Sequence, residues 1–118
     1  MRLDILERIC DELSKDEDAD LTVLKMSSLS YLTDYFVIAT ADSSVQMKSM
    51  RDRVVDIFKS EHHPIVFYDK NTDHDWMIVD AEEIVIHIFT RKARSFYDLE
   101  SLWSDAQKVE LHEKKGEG

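Results

Sequence analysis

The stretch D-W-M-I-V-D-A-E-E-I-V-I-H-I-F-T, from Asp75 to Thr90, leaves this chain few ways to fold. Two strand-like runs, Trp76 to Asp80 and Ile84 to Thr90, are separated only by Ala81 to Glu83, which predicts adjacent antiparallel strands joined by a tight turn. Side chains alternate across a strand, so Ile84, Ile86 and Ile88 point one way while Val85, His87 and Phe89 point the other. Both faces of the second strand are apolar and both need cover. An internal strand of a covered sheet meets that need. The run Thr33 to Ala41 has the same character, with Tyr35, Val37 and Ala39 on one face and Phe36, Ile38 and Thr40 on the other.

The remaining elements follow from periodicity. Leu3, Leu6, Cys10 and Leu13 recur at three and four, which predicts an amphipathic helix over residues 2–14 that the acidic stretch Lys15 to Asp20 ends. Leu21 to Met26 reads as a short strand. Ser43 followed by Gln46 is a capping-box pattern, and Met47, Met50, Val54, Ile57 and Phe58 then mark the buried stripe of a helix from Val45 to Ser60. His62, His63 and the only proline, Pro64, break that helix, and a third strand is expected at Ile65 to Tyr68. Asn71, Thr72 and Asp73 supply turn chemistry before Trp76, so the last three strands read as an antiparallel meander. A helical or mixed segment is expected from Arg94 to Gln107, and a charged tail from Glu110 to Gly118. The order predicts one α/β domain over residues 1–108, an α+β mixed sheet of about five strands with helices packed on it, followed by a tail over 109–118.

Charge narrows the partners. The 118 residues carry a formal net charge of -10, which opposes the clustered lysines and arginines that a phosphate-reading surface needs, so no direct nucleic-acid recognition is expected. A basic protein is the better-matched partner. Of the first twenty residues, Asp4, Glu7, Asp11, Glu12, Asp16, Glu17, Asp18 and Asp20 are acidic, and the first helix is expected to turn a solvated acidic face outward. Cys10 is the only cysteine and lies on the apolar stripe of that helix, which predicts a small core residue and a reducing compartment. No apolar run reaches the ~18 residues of a membrane span, and a cytoplasmic protein is expected.

No nucleophile, glycine loop or metal-ligand spacing stands out. His62 and His63 are adjacent, which points their rings apart, and His87 lies between Ile86 and Ile88 as a structural histidine would; no metal and no cofactor are expected. Trp76, Ile78 and Asp80 share one strand face and Asp75 flanks them, so an exposed Trp-Ile pair with an acidic rim is the candidate partner site, against the alternative that Trp76 packs in the core. In R-S-F-Y-D-L-E-S-L-W, from Arg94 to Trp103, the apolar residues Phe96, Leu99, Leu102 and Trp103 are spaced to pack on the sheet, which leaves Tyr97, Asp98 and Glu100 outward. Tyr97 and Glu100 join the candidate site.

The stretch Asp75 to Thr90, the aromatic and acidic run after it, and L-T-D-Y-F-V-I-A-T-A-D-S-S from Leu32 to Ser44 together resemble the ribosomal silencing factor family, also called the Iojap or RsfS family, over nearly the whole chain. Where members of that family usually carry glycine, this chain has Ser28, Asp42 and Glu82. The resemblance implies a nucleotidyltransferase-like topology and a non-catalytic function. It implies binding to the large ribosomal subunit through large-subunit protein number fourteen, steric block of small-subunit joining, and repression of translation under nutrient limitation. Two rivals follow from the same residues. One is a metal-dependent nucleotidyltransferase using Asp73, Asp75 or Asp80, which T-A-D-S-S at Thr40 to Ser44 opposes because it offers no glycine loop for a triphosphate. The other is a homodimeric scaffold that pairs uncovered sheet surfaces.

Overall fold

The structure is a computed structural model and describes residues 3–26, 33–70, 75–96 and 107–108. Its elements in chain order are helix α1 (Leu3–Leu13), strands β1 (Thr22–Lys25) and β2 (Tyr35–Ala41), helix α2 (Ser44–Ser60), strands β3 (Phe67–Tyr68), β4 (Trp76–Asp80) and β5 (Ile84–Thr90), helix α3 (Arg91–Phe96) and strand β6 (Gln107–Lys108). They form one mixed α/β domain whose sheet runs β3-β4-β5-β2-β1-β6.

The two strands with apolar residues on both faces, β2 and β5, pair in parallel at the centre, Val37 beside Ile86 and Ala39 beside Ile88. All other pairings are antiparallel, and β3, β4 and β5 form the expected meander. Backbone N–H groups of Asp34 and Tyr35 both donate to the Glu83 carbonyl at 2.9 Å, which fixes the parallel register where the β4–β5 turn meets β2.

One face of the sheet is covered by α1 and α2. Ile5, Leu6, Ile9 and Leu13 of α1 meet Met47, Met50, Val54 and Phe58 of α2 over Val37, Ala39, Met77, Val79, Ile84, Ile86 and Ile88. Cys10 is buried among them. The Ser43 cap forms, its Oγ accepting the Gln46 N–H at 3.1 Å, but the return bond from Gln46 Oε1 is to the Asp42 N–H at 2.6 Å, one residue outside the cap. Part of the acidic first helix proves structural. Arg53 of α2 donates to Glu12 and, at 2.9 Å, to Asp16, so these carboxylates clamp the two helices. Burial raises the Asp16 pKa, but hydrogen bonds and charge from Arg53 outweigh it and hold the group below the usual carboxylate range.

Three expectations need correction. The C-terminal helix begins at Arg91, directly after β5, because Thr90 Oγ1 accepts the Ala93 N–H and two arginines anchor it: Arg91 to Asp42 at 2.7 Å, Arg94 to Thr40 Oγ1 at 2.8 Å and Thr22 Oγ1 at 3.0 Å. The third strand is two residues long, since the Asp69 carboxylate takes the Ile78 N–H at 2.8 Å and ends the ladder. A sixth strand, Gln107–Lys108, pairs with Lys25 and Leu24 where a helical or mixed segment is expected to end. The tail expected over 109–118 lies outside the described residues.

Candidate functional site

The second face of the sheet is where cover runs short. Residues paired across neighbouring strands turn their side chains to the same side, and the pairings Phe67 with Asp80, Trp76 with Phe89, Ile78 with His87, Asp80 with Val85, and Ile38 with His87 define one continuous surface. At the β1 and β2 side, Leu24, Met26, Ile38 and Phe89 are buried together with Ala93 of α3. At the β4 and β3 side, Trp76, Ile78 and Asp80 are half-buried and Phe67 is 52 % exposed. The alternation in β4 is as expected: Met77 and Val79 fill the helix-covered core while Trp76, Ile78 and Asp80 face the other way.

Trp76 therefore falls between the two alternatives. Its ring stacks on Phe89 with centroids 5.0 Å apart, and its Nε1–H donates to Nδ1 of His87 at 3.1 Å. His87 is itself 5 % exposed and meets Phe36 edge-on at 4.6 Å. Burial pushes its pKa from 6.5 down to about 4, so the ring is neutral at pH 7. With Nδ1 accepting the indole proton, the hydrogen sits on Nε2, a buried atom with no hydrogen-bond partner among the described residues. The histidine is thus a neutral acceptor that fixes the tryptophan's rotation.

The carboxylates divide their roles. Asp75 is exposed, and its carbonyl accepts the Thr90 N–H at 2.9 Å. Asp80 is partly committed, its Oδ1 accepting the Glu82 N–H at 2.9 Å across the β4–β5 turn. Glu82 adopts φ 73, the left-handed conformation that glycine takes without penalty. Asp42 has no such strain; it uses its side chain to hold Arg91. Asp75 and Asp80 stand five residues apart along β4, about 16 Å at the rise of an extended strand, too far to share one ion. Among the described residues no three histidine, cysteine, aspartate or glutamate side chains gather as metal ligands. His62 is exposed with φ 57, and His63 Nε2 lies 3.1 Å from the Ala81 carbonyl. No described helix is long and apolar enough to cross a membrane.

Asp73, Tyr97 and Glu100 lie outside the described residues. Two residues of this face escaped the sequence reading as site members: Phe67, whose membership depends on the β3–β4 register, and Phe36, whose edge contact with His87 depends on the parallel β2–β5 pairing. A conspicuous aromatic at Phe67, next to an edge-strand proline segment, was the only available signal.

The comparisons with known proteins agree with one another. The family model described as "Ribosomal silencing factor during starvation" matches residues 2–117. A ribosomal silencing factor from Zymomonas mobilis is 31 % identical over 99 residues, covering 84 % of this chain and 74 % of that one. The mouse protein named "Mitochondrial assembly of ribosomal large subunit protein 1" is 28 % identical over 102 residues, covering 84 % of this chain and 45 % of that one. A crystal structure of a Chromobacterium violaceum protein superposes with a TM-score of 0.82 at 28 % identity, covering 93 % of this chain and 91 % of that one. With a family model matched across nearly its whole length, the chain belongs to the ribosomal silencing factor family.

Proposed function

We propose that this protein is a non-catalytic translation repressor that docks on the large ribosomal subunit, through large-subunit protein number fourteen, and sterically prevents the small subunit from joining when nutrients are short. The family supplies the ribosome and the starvation setting. The mouse relative's name refers to the large subunit. One observation of this chain carries the docking surface. Trp76 is half-buried on an incompletely covered sheet face and is held in one rotation by the buried, neutral His87.

A rigid aromatic on a preorganised platform is the usual form of an interface anchor, since little side-chain entropy is lost when it is covered. Ile78 and Phe67 extend the apolar centre, and exposed Asp75, with Tyr97 and Glu100 proposed beside it, gives an acidic rim suited to a basic ribosomal protein. A bound domain of 118 residues occupies space that the incoming subunit needs, and occlusion requires no chemistry. The work takes place where ribosomes are, in the cytoplasm. Sedimentation with purified subunits tests this reading: the protein should travel with the large subunit and reduce the assembled fraction when the small subunit is added. A protein that stays at the top of the gradient would refute it.

A further inference from the structure

A second surface, carrying two lysines, lies at the β3 edge of the sheet beside α2, and among the described residues only Phe67 borders both it and the Trp76 face. A groove of about 420 Å³ runs between the end of α2 and β3, lined by Lys59, Ile65, Val66, Tyr68 and Lys70 among others. Val66, just before the outermost strand, is 66 % exposed and Phe67, the first residue of that strand, 52 %. Among the described residues, only one side of β3 is paired, with β4. An edge of this kind is a template for an added strand.

Charge selects the occupant. In this chain of net charge -10, many cations are matched to carboxylates, among them Arg8 to Glu61, Lys48 to Asp52, Arg53 to Glu12 and Asp16, and Arg91 to Asp42, while Lys25 and Lys92 stand exposed and apart from this groove. Among the described residues Lys59 and Lys70 have no carboxylate partner; the Lys70 ammonium rests over the Tyr68 ring at 4.5 Å. Of the acids in this region, Asp69 accepts the Ile78 N–H, Glu83 stands 3.6 Å from His63 and Glu61 pairs with Arg8. We infer that this edge binds an extended acidic peptide segment of a partner protein, which adds a strand along β3, seats an apolar side chain on Ile65 and Val66, and places carboxylates against Lys59 and Lys70.

Other occupants fit less well. Pairing β3 with its counterpart in a second copy would set Lys59 and Lys70 against the same lysines. A nucleic-acid strand would find only two lysines, and Tyr68, the aromatic nearest them, is packed against the core rather than presented for stacking. An aliphatic wall beside two ammonium groups suits a segment that alternates apolar and acidic residues.

Amide-resolved NMR titration of the intact chain tests the inference, with three probes: a terminally blocked peptide of alternating glutamate and isoleucine, the same peptide with lysine for glutamate, and an oligouridylate. The acidic peptide should shift amides at 59, 63 and 65–70 and saturate, while the lysine peptide and the oligouridylate leave them in place. Lys59→Gln with Lys70→Gln should weaken peptide binding about tenfold, through the loss of two charged contacts. The same double variant should still travel with the large subunit, which separates this surface from the Trp76 face. No shift at 59, 63 and 65–70, shifts centred instead on 76–89, equal binding of the lysine peptide, tighter binding of the oligouridylate, or concentration-dependent self-association through these residues would each overturn it.

Discussion

Trp76 and His87 are joined across the β4–β5 pair by an indole N–H that donates to Nδ1 at 3.1 Å, two residues out of direct register. The bond uses the histidine's acceptor for the tryptophan and leaves Nε2–H buried without a partner among the described residues. An unpaired buried donor costs about 1 to 3 kcal/mol. The apolar shell of Ile38, Phe36 and Phe89 that imposes this cost also keeps the ring neutral, and a neutral ring is what can accept from Trp76.

A pH dependence follows. The folded pKa of His87 is depressed from 6.5 to about 4, so between those values the unfolded chain binds the extra proton and the folded chain does not. Stability from this group is complete above about pH 6.5 and is lost as pH falls toward 4, by about 3 kcal/mol as an upper estimate. His87→Phe should flatten that part of the stability curve. Chemical denaturation of both proteins between pH 7 and pH 4, compared as a difference to remove the carboxylates, measures it; parallel curves would place His87 in a more hydrated setting.

Glu82 sits at φ 73, where a side chain bearing Cβ is strained by about 1 to 2 kcal/mol. Glycine at this position removes the strain but adds freedom to the unfolded chain. Glu82→Gly should therefore stabilise the protein by about 0.5 to 1 kcal/mol, read as a higher denaturation midpoint at unchanged slope. A lower midpoint would mean that the glutamate side chain contributes more than its backbone costs.

If Asp75 and its acidic neighbours meet a basic partner, raising salt from ~50 to ~500 mM should slow association with the large subunit more than it speeds dissociation, because screening acts on steering while the apolar centre is little affected. Stopped-flow or surface-based kinetics separates the two rates. An association rate indifferent to salt would leave the carboxylates a solubilising role only.

Much of this fold could be read from residue patterns because its strands are strongly patterned. The two-sided apolar runs of β2 and β5 marked the sheet centre, Trp76 to Asp80 marked one covered and one less covered face, and the stripe from Met47 to Phe58 marked the helix that covers the core. What escaped depends on distant partners. Arg91 and Arg94 start α3 three residues early because Asp42, Thr40 and Thr22, some fifty to seventy residues away, accept their hydrogen bonds. The two-residue strand β6 has no local pattern to announce it. At the candidate site, the strand position and facing of Trp76 were legible, but its bond to His87 and the placement of Phe67 on the same face require the register, which single-strand patterns do not state.

The docking claim rests on Trp76, and its replacement is the most direct test. Trp76→Ala removes a half-buried ring stacked on Phe89, so a folding loss of about 1 to 3 kcal/mol is expected, short of the full cost of a core tryptophan. Affinity of the folded variant for the purified large subunit should fall about thirtyfold or more, the usual cost of truncating a central interface tryptophan. The measurement is titrated co-sedimentation with the large subunit, at a temperature where circular dichroism shows both proteins folded. The account predicts loss of the variant from the large-subunit peak and recovery of subunit joining; a folded Trp76→Ala protein that binds as tightly as the parent would contradict it.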